Sequence, residues 1–240
     1  NEGKDIGLNG PASLGNVLAV GSVNFDGTRS TISNWGPNNA LMAPGEEIYS
    51  LHSKDAPWDG PAGNREHLYT KASGTSFSAP MVAATASLML VKDPTLTTNQ
   101  IEDILLSTAK PMELHDWDGR TGTGMLDAAK ALRSIKEDHF NVKITGLKTA
   151  YKEKSKNIEA VDVYATVRGK VDYFTVEIGK GKNARRFKPV IGIAGQQASD
   201  DLVARITSDQ LRGSSEWLVV VRATDKNGKE HIAQTPLILK

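Results

Sequence analysis

The chain has 240 residues, 39% of them apolar and 24% charged, with a net charge of +1 at pH 7. That balance suits one large soluble globular domain or two small ones, and no apolar run approaches the roughly 20 residues that span a bilayer. There is no cysteine, which excludes disulfides and thiolate metal centres.

The charge is unevenly spread. Residues 1–140 hold 11 Lys and Arg against 17 Asp and Glu, whereas residues 141–240 hold 18 against 11. Opposite signs in the two parts predict two units with different surfaces.

In chain order, residues 17–23 (Val-Leu-Ala-Val-Gly-Ser-Val) read as a short buried strand bounded by turn residues. Residues 34–37 (Asn-Trp-Gly-Pro) read as a turn, and residues 41–43 as a second buried strand ended by Pro44 and Gly45. Residues 52–66 are rich in Pro, Gly, Asp and Asn and read as a surface loop. A helix is predicted from about Ser76 to Lys92. It is apolar nearly all round, as a helix inside a large core would be, and Asp93-Pro94 ends it.

Thr97 and Gln100 have capping-box spacing. Ile101, Ile104, Leu105 and Thr108 then mark one face of an amphipathic helix ending near Lys110. Residues 115–124 form a turn-rich loop, Met125-Leu126 a short strand, and Asp127 the cap of a last helix through Arg133.

The pattern changes after about residue 140. Val161, Val163, Ala165 and Val167 alternate with Asp162, Tyr164, Thr166 and Arg168, and Phe174, Val176 and Ile178 alternate with polar neighbours. Further strands are read at residues 217–223 and 232–239, the latter entered through the hairpin turn Asp225-Lys226-Asn227-Gly228. About seven strands at regular spacing predict a small antiparallel β-sandwich over residues 139–240.

Residues 74–84 (Gly-Thr-Ser-Phe-Ser-Ala-Pro-Met-Val-Ala-Ala) carry the strongest chemical signal. A serine among small residues, just before a proline and a long apolar run, places a hydroxyl at the first turn of a helix. Free N–H groups and the helix dipole favour negative charge at that end, as an acyl-transfer nucleophile needs. This string resembles the serine motif of the subtilisin-like serine proteases, the subtilases. Residues 1–135 also resemble that family in order: Asn1-Glu2-Gly3 resembles the end of its Ala-Gly-Asn-Glu-Gly segment, followed by the strand, the two turns, the serine motif and a closing Gly122-Thr-Gly-Met-Leu-Asp-Ala-Ala segment.

The resemblance implies an α/β fold: the C-terminal portion of a doubly wound parallel-sheet subtilisin-like domain over residues 1–138, with the β-sandwich appended. It implies Ser76 as nucleophile, Asn1 as side-chain donor of the oxyanion hole, Thr75 as a supporting hydroxyl, Glu2, Gly10 and Pro11 beside the pocket for the residue preceding the scissile bond, and Phe77 on the leaving-group side. Phe77 stands where methionine is more usual in the family, and Ala84 where glycine is. No cofactor is implied beyond a structural calcium or other weakly bound cation at the carbonyls of Ala12, Leu14 and Val17.

A serine protease also needs a base and a carboxylate that orients it. The family order is Asp, His, Ser, with both former residues upstream of the oxyanion asparagine. The expectation is therefore that Asp and His come from an upstream segment or a separate chain. None of His52, His67, His115, His139 and His231 lies where the family places its base. Residues 1–240 expressed alone are expected to fold poorly, exposing the apolar faces of the serine helix and of residues 17–23, and to be inactive.

Asp116 and Asp118 resemble the start of a calcium loop, but Thr121 and Asp127 stand where glycine and glutamate are needed. Lys152, Lys154, Lys156, Lys180, Lys182, Arg185, Arg186 and Lys188 form basic clusters at strand ends, where lysine also protects sheet edges; no nucleic-acid motif accompanies them. Three readings stand: an endopeptidase acting on protein or peptide substrates, a non-catalytic fragment binding through its basic β-domain, and a pseudoprotease. The resemblance and the lack of cysteine imply an extracellular, periplasmic or cell-surface location.

Overall fold

The computed structural model describes residues 1–8, 10–14, 17–51, 69–112, 117–151 and 157–239. The expected loop at residues 52–66, His52, His67, His115, Asp116, Lys152, Lys154 and Lys156 lie outside the described residues.

The first part is α/β. Strand β1 (Ala19–Val23) runs parallel to β2 (Asn39–Pro44), with Val20 opposite Leu41 and Val23 opposite Pro44. Both strands are apolar on both faces and almost wholly buried, as parallel strands are. A hairpin of β3 (Ile48–Leu51) and β4 (Tyr69–Ala72) follows, closed by Tyr49 stacked on Tyr69 at 5.4 Å. Helix α1 (Thr75–Lys92) then packs on β1 and β2 and ends at Asp93.

Helix α2 (Thr98–Thr108) begins in the predicted capping box: Thr97 Oγ1 accepts from Gln100 N, and Gln100 Oε1 accepts from Thr97 N. Its buried face is Ile104, Leu105 and Thr108, with Leu106 beside them. The short helix α3 (Ala128–Arg133) is capped by Asp127, whose Oδ1 accepts from Lys130 N at 2.8 Å. Val82, Met89, Ile104, Leu105 and Ala131 meet β2's Leu41 and Ala43 in one core. Helix α1 departs from the sequence expectation: Leu88 is 53% exposed and Val91 80%. Its apolar residues surround the whole axis, and only one side of it faces β1, β2, α2 and α3.

Residues 117–118 form a two-residue strand, β5 (Trp117–Asp118), inside the stretch expected to be a loop. Met125, expected in a strand, makes isolated bridges to Met42 and Lys110.

The second part is built from β6 (Asn141–Tyr151), β7 (Ile158–Arg168), β8 (Val171–Lys180), β9 (Phe187–Ala194), β10 (Ala198–Thr207), β11 (Glu216–Asp225) and β12 (Glu230–Ile238). They form two sheets, in the orders β10-β7-β6 and β5-β12-β11-β8-β9. All pairings are antiparallel except β12 with β5. Val161, Val163, Ala165 and Val167 of β7 face Phe174, Val176, Ile178, Val219 and Val221 of the other sheet in one core.

Two joints connect the parts. The β5–β12 pairing sets Trp117 opposite Ala233 and Asp118 opposite Gln234, and the indole of Trp117 is buried in the core of the second part. Burying an indole of about 150–250 Å² contributes about 4–6 kcal/mol as an upper figure, at ~25 cal/mol per Å². At the second joint, Arg168 Nη2 lies 2.6 Å from Asp103 Oδ1, and Arg168 and Lys143 both bond Glu102. Asn141 Nδ2 adds a bond to Asp103 Oδ1 at 3.0 Å. Burial opposes the Glu102 carboxylate, but Lys143 and Arg168 outweigh it and hold its pKa below the ordinary 4.5. Burial likewise disfavours the Arg168 cation, and its bonds to Asp103 and Glu102 reverse the balance and raise its pKa.

Candidate active site

Residues 74–76 sit where β4 gives way to α1. Gly74 has φ 154°, a conformation that side chains resist. Its N–H donates to Gly45 O at 2.7 Å. Gly45 is itself confined: an added Cβ would lie 2.3 Å from Ser78 Oγ and 2.5 Å from Ser22 Oγ. The turn after β2 thereby fixes where α1 begins, and Ser78 Oγ, 3.1 Å from Ala43 O, ties the first helical turn to the same strand.

Thr75 and Ser76 open the helix, so their N–H groups have no intrahelical acceptor. Asn1 supplies one: its Oδ1 accepts from Thr75 N at 2.9 Å and from Thr75 Oγ1 at 3.0 Å. With the oxygen held there, the other end of the amide faces Gly74. A Cβ built on Gly74 would lie 3.5 Å from Asn1 Nδ2 and 3.8 Å from Ser76 N. Asn1 Nδ2 and the Ser76 backbone nitrogen thus lie near the same face of Gly74, which carries no side chain. The Thr75 hydroxyl, expected to support the oxyanion hole, donates to Asn1 Oδ1.

The segment bearing Asn1 is laced to residues 32–35. Asn34 Oδ1 accepts from Glu2 N at 3.0 Å and from Lys4 N at 3.1 Å. Trp35 Nε1 donates to Gly3 O at 3.0 Å, and Gly3 N donates to Ile32 O at 3.0 Å. The expected turn at residues 34–37 is therefore the anchor of Asn1, a role that no local pattern announces.

A depression of about 110 Å³ opens beside Asn1 and Thr75, lined further by Ile6, Ala12, Ala19, Val20, Asn34 and Asn39. Its walls are small and uncharged. Glu2, Gly10 and Pro11, expected beside the pocket for the residue preceding the scissile bond, are exposed and do not line this depression, and Glu2 faces Lys4 at 3.1 Å. Phe77 is half-buried in the first turn of α1. Ile6, Asn34 and Asn39 were not legible as lining residues, because each belongs to a different turn or strand.

Both described histidines are engaged away from Ser76. His139 Nδ1 lies 2.7 Å from Ser107 Oγ, with Nε2 2.8 Å from Ser134 O. His231 stacks on Phe140 at 4.2 Å and faces Asp225 at 3.4 Å. Asp118 accepts from Arg120 N, Thr121 N and Thr121 Oγ1, so it caps its own turn. Among the described residues no group of three or more His, Cys, Asp or Glu could hold a metal. The Leu14 carbonyl accepts from Val17 N at 3.1 Å, leaving one lone pair toward any cation.

The cell wall-associated protease of Bacillus subtilis is 28% identical over 243 residues, covering 92% of this chain and 25% of that protein. The extracellular basic protease of Dichelobacter nodosus is 33% identical over 142 residues, covering 58% and 23%. Subtilisin DY of Bacillus licheniformis is 36% identical over 99 residues, covering 41% and 32%. The chain spans about a fifth to a third of the length of the curated relatives it matches. Among solved structures, a protease of Pseudoalteromonas arctica superposes with a TM-score of 0.48 at 29% identity, covering 57% of this chain and 41% of that one. The sequence model described as the subtilase family matches residues 1–124, from Asn1 through Ser76 to Gly124, and the chain belongs to that family.

Proposed function

We propose that this chain supplies the nucleophile and the oxyanion hole of a serine endopeptidase acting on protein or peptide substrates. Ser76 Oγ attacks the scissile carbonyl, and its proton passes to a histidine oriented by an aspartate, both carried by an upstream segment or a separate chain. The oxygen of the tetrahedral intermediate takes hydrogen bonds from Asn1 Nδ2 and Ser76 N. Collapse expels the amine, and water releases the acyl-enzyme. No cofactor takes part. A weakly held cation at the Ala12, Leu14 and Val17 carbonyls would brace the turn before β1.

The observation that supports this reading is the pinning of Asn1 by Thr75, with Asn1 Nδ2 and Ser76 N both within 4 Å of the place a Gly74 Cβ would fill. The small uncharged depression next to it suits an uncharged side chain before the scissile bond. Similarity to the extracellular basic protease of Dichelobacter nodosus supports work outside the cytoplasm. Among the described residues no helix is long and apolar enough to cross a membrane.

The test is labelling of the full protein with a fluorophosphonate. Covalent label on Ser76, lost in Ser76→Ala, is expected. A properly folded protein that takes no label at Ser76 would instead support the non-catalytic or pseudoprotease reading.

A further inference from the structure

We propose that the β-rich part acts on the oxyanion site, through β5, and that Trp117 is the positioning residue that couples them; this rests on the function proposed above. The indole of Trp117 belongs to the core of residues 141–239, while its one polar atom points the other way. Nε1 donates to Asn39 O at 3.0 Å. Asn39 Nδ2 donates back to Arg120 O at 2.9 Å, so the start of β2 and the turn after β5 hold each other. Asn39 lines the depression beside Asn1 and Thr75.

A second tie leaves the same turn. Gly119 O accepts from Gly36 N at 2.6 Å, and the neighbouring Trp35 N donates to Lys4 O at 3.0 Å while Asn34 holds Glu2 and Lys4. The segment ending in Asn1 is thus built on residues 34–36, residues 34–36 on Gly119, and β5 on β12. On the far side, Thr235 Oγ1 of β12 would lie 3.2 Å from a Cβ at Gly119, and Gly36 C and O 3.6 Å from it. That turn lies between the β-rich part and the anchor of Asn1, tightly against Thr235 and in ordinary contact with Gly36.

An oxyanion donor works only if its position is fixed before the charge develops. Loosening the clasp should therefore lower kcat and leave KM nearly unchanged, because the contact is made in the transition state. A purely structural Trp117 would lower thermal stability and leave kcat alone.

The experiment uses the full protein with Trp117→Phe, which keeps a buried aromatic ring and removes the N–H, and Gly119→Ala, which sets a methyl group against Thr235 Oγ1 beside Gly36. Peptide hydrolysis and amide hydrogen exchange are read together. The expected result for Trp117→Phe is a fall in kcat of about fivefold, the kinetic equivalent of one neutral hydrogen bond. KM should stay within about twofold, and exchange should quicken at the amides of Glu2, Lys4 and Gly36. Gly119→Ala should quicken exchange at the same amides. Unchanged exchange there in both variants, or an unchanged kcat with a lowered Tm, would overturn the proposal. Exchange needs no turnover, so faster exchange in a protein that hydrolyses no peptide would fault the catalytic reading while leaving the coupling in place.

Discussion

Helix α1 leaves Leu88, Leu90 and Val91 on the surface, whereas β11 buries every residue from Trp217 to Val221. Both stretches are apolar runs, and they differ in what surrounds them. Strand β11 lies between β8 and β12 in its sheet and faces a second sheet across a shared core. Helix α1 touches two strands and two helices on one flank, while its Ala83 and Ala86 floor an open groove of about 710 Å³ that also borders α2 and Arg168. The proposed nucleophile thus sits at the head of the less enclosed element. What steadies that end is a set of directional ties: Gly45 to Gly74, Thr75 to Asn1, and β5 to the β-rich part.

The contrast can be broken or sharpened by substitution. Phe174→Ala opens a cavity in the closed core and should cost about 3–5 kcal/mol, read as lost exchange protection in β7, β8 and β11. A cost near zero would mean that this core is not what holds the second part. Arg168→Leu takes the shared cation from both carboxylates, leaving Glu102 with Lys143 and Asp103 with Asn141. It should cost about 2–3 kcal/mol, less than for a fully enclosed pair because both carboxylates retain some exposure, and should loosen α2 against β6 and β7 more than either core.

The same joint has a pH signature. The pKa of Glu102 is depressed on folding, so its contribution is complete above the ordinary value of 4.5 and is lost as pH falls below it toward the folded value. Acid titration of α2 exchange should show a destabilising step below pH 4.5 that Glu102→Gln reduces; an identical profile in the variant would contradict the assignment. Thr97→Ala removes a cap bond and should cost about 1 kcal/mol, seen as fraying of the first turn of α2. Leu90→Ala in residues 1–240 should change stability by under about 0.5 kcal/mol, as at an ordinary surface position. A cost like that of Phe174→Ala would erase the contrast between the two regions.

The features legible in the sequence are those with a local physical cause. Thr97 and Gln100 announce a capping box because both bonds lie within one turn, and Asp127 announces the start of α3 for the same reason. The period-two pattern of residues 161–168 places Val161, Val163, Ala165 and Val167 in the core. Within that pattern, however, Arg168 reads as one more solvent-facing position, and only its encounter with Asp103, far along the chain, reveals a joint. Strand β5 is two residues long and has no period to detect; its partner β12 follows more than a hundred residues later. The serine motif points to Ser76, and Asn1-Glu2-Gly3 to a second donor. The bond from the Thr75 hydroxyl to Asn1 Oδ1 joins residues 74 positions apart, so no local pattern announces it. Helix α1 reads as buried because its composition is apolar on every side, yet composition does not say how many neighbours are present to cover those sides.

The central claim is that Asn1 and the Ser76 N–H together receive the oxyanion. Its most direct test is the rate at which a fluorophosphonate labels Ser76 in the full protein, compared with Asn1→Ala. The account predicts labelling at Ser76 that slows by about 10²–10³ when the asparagine donor is removed. Equal rates in the two proteins, or label found at another residue, would contradict it.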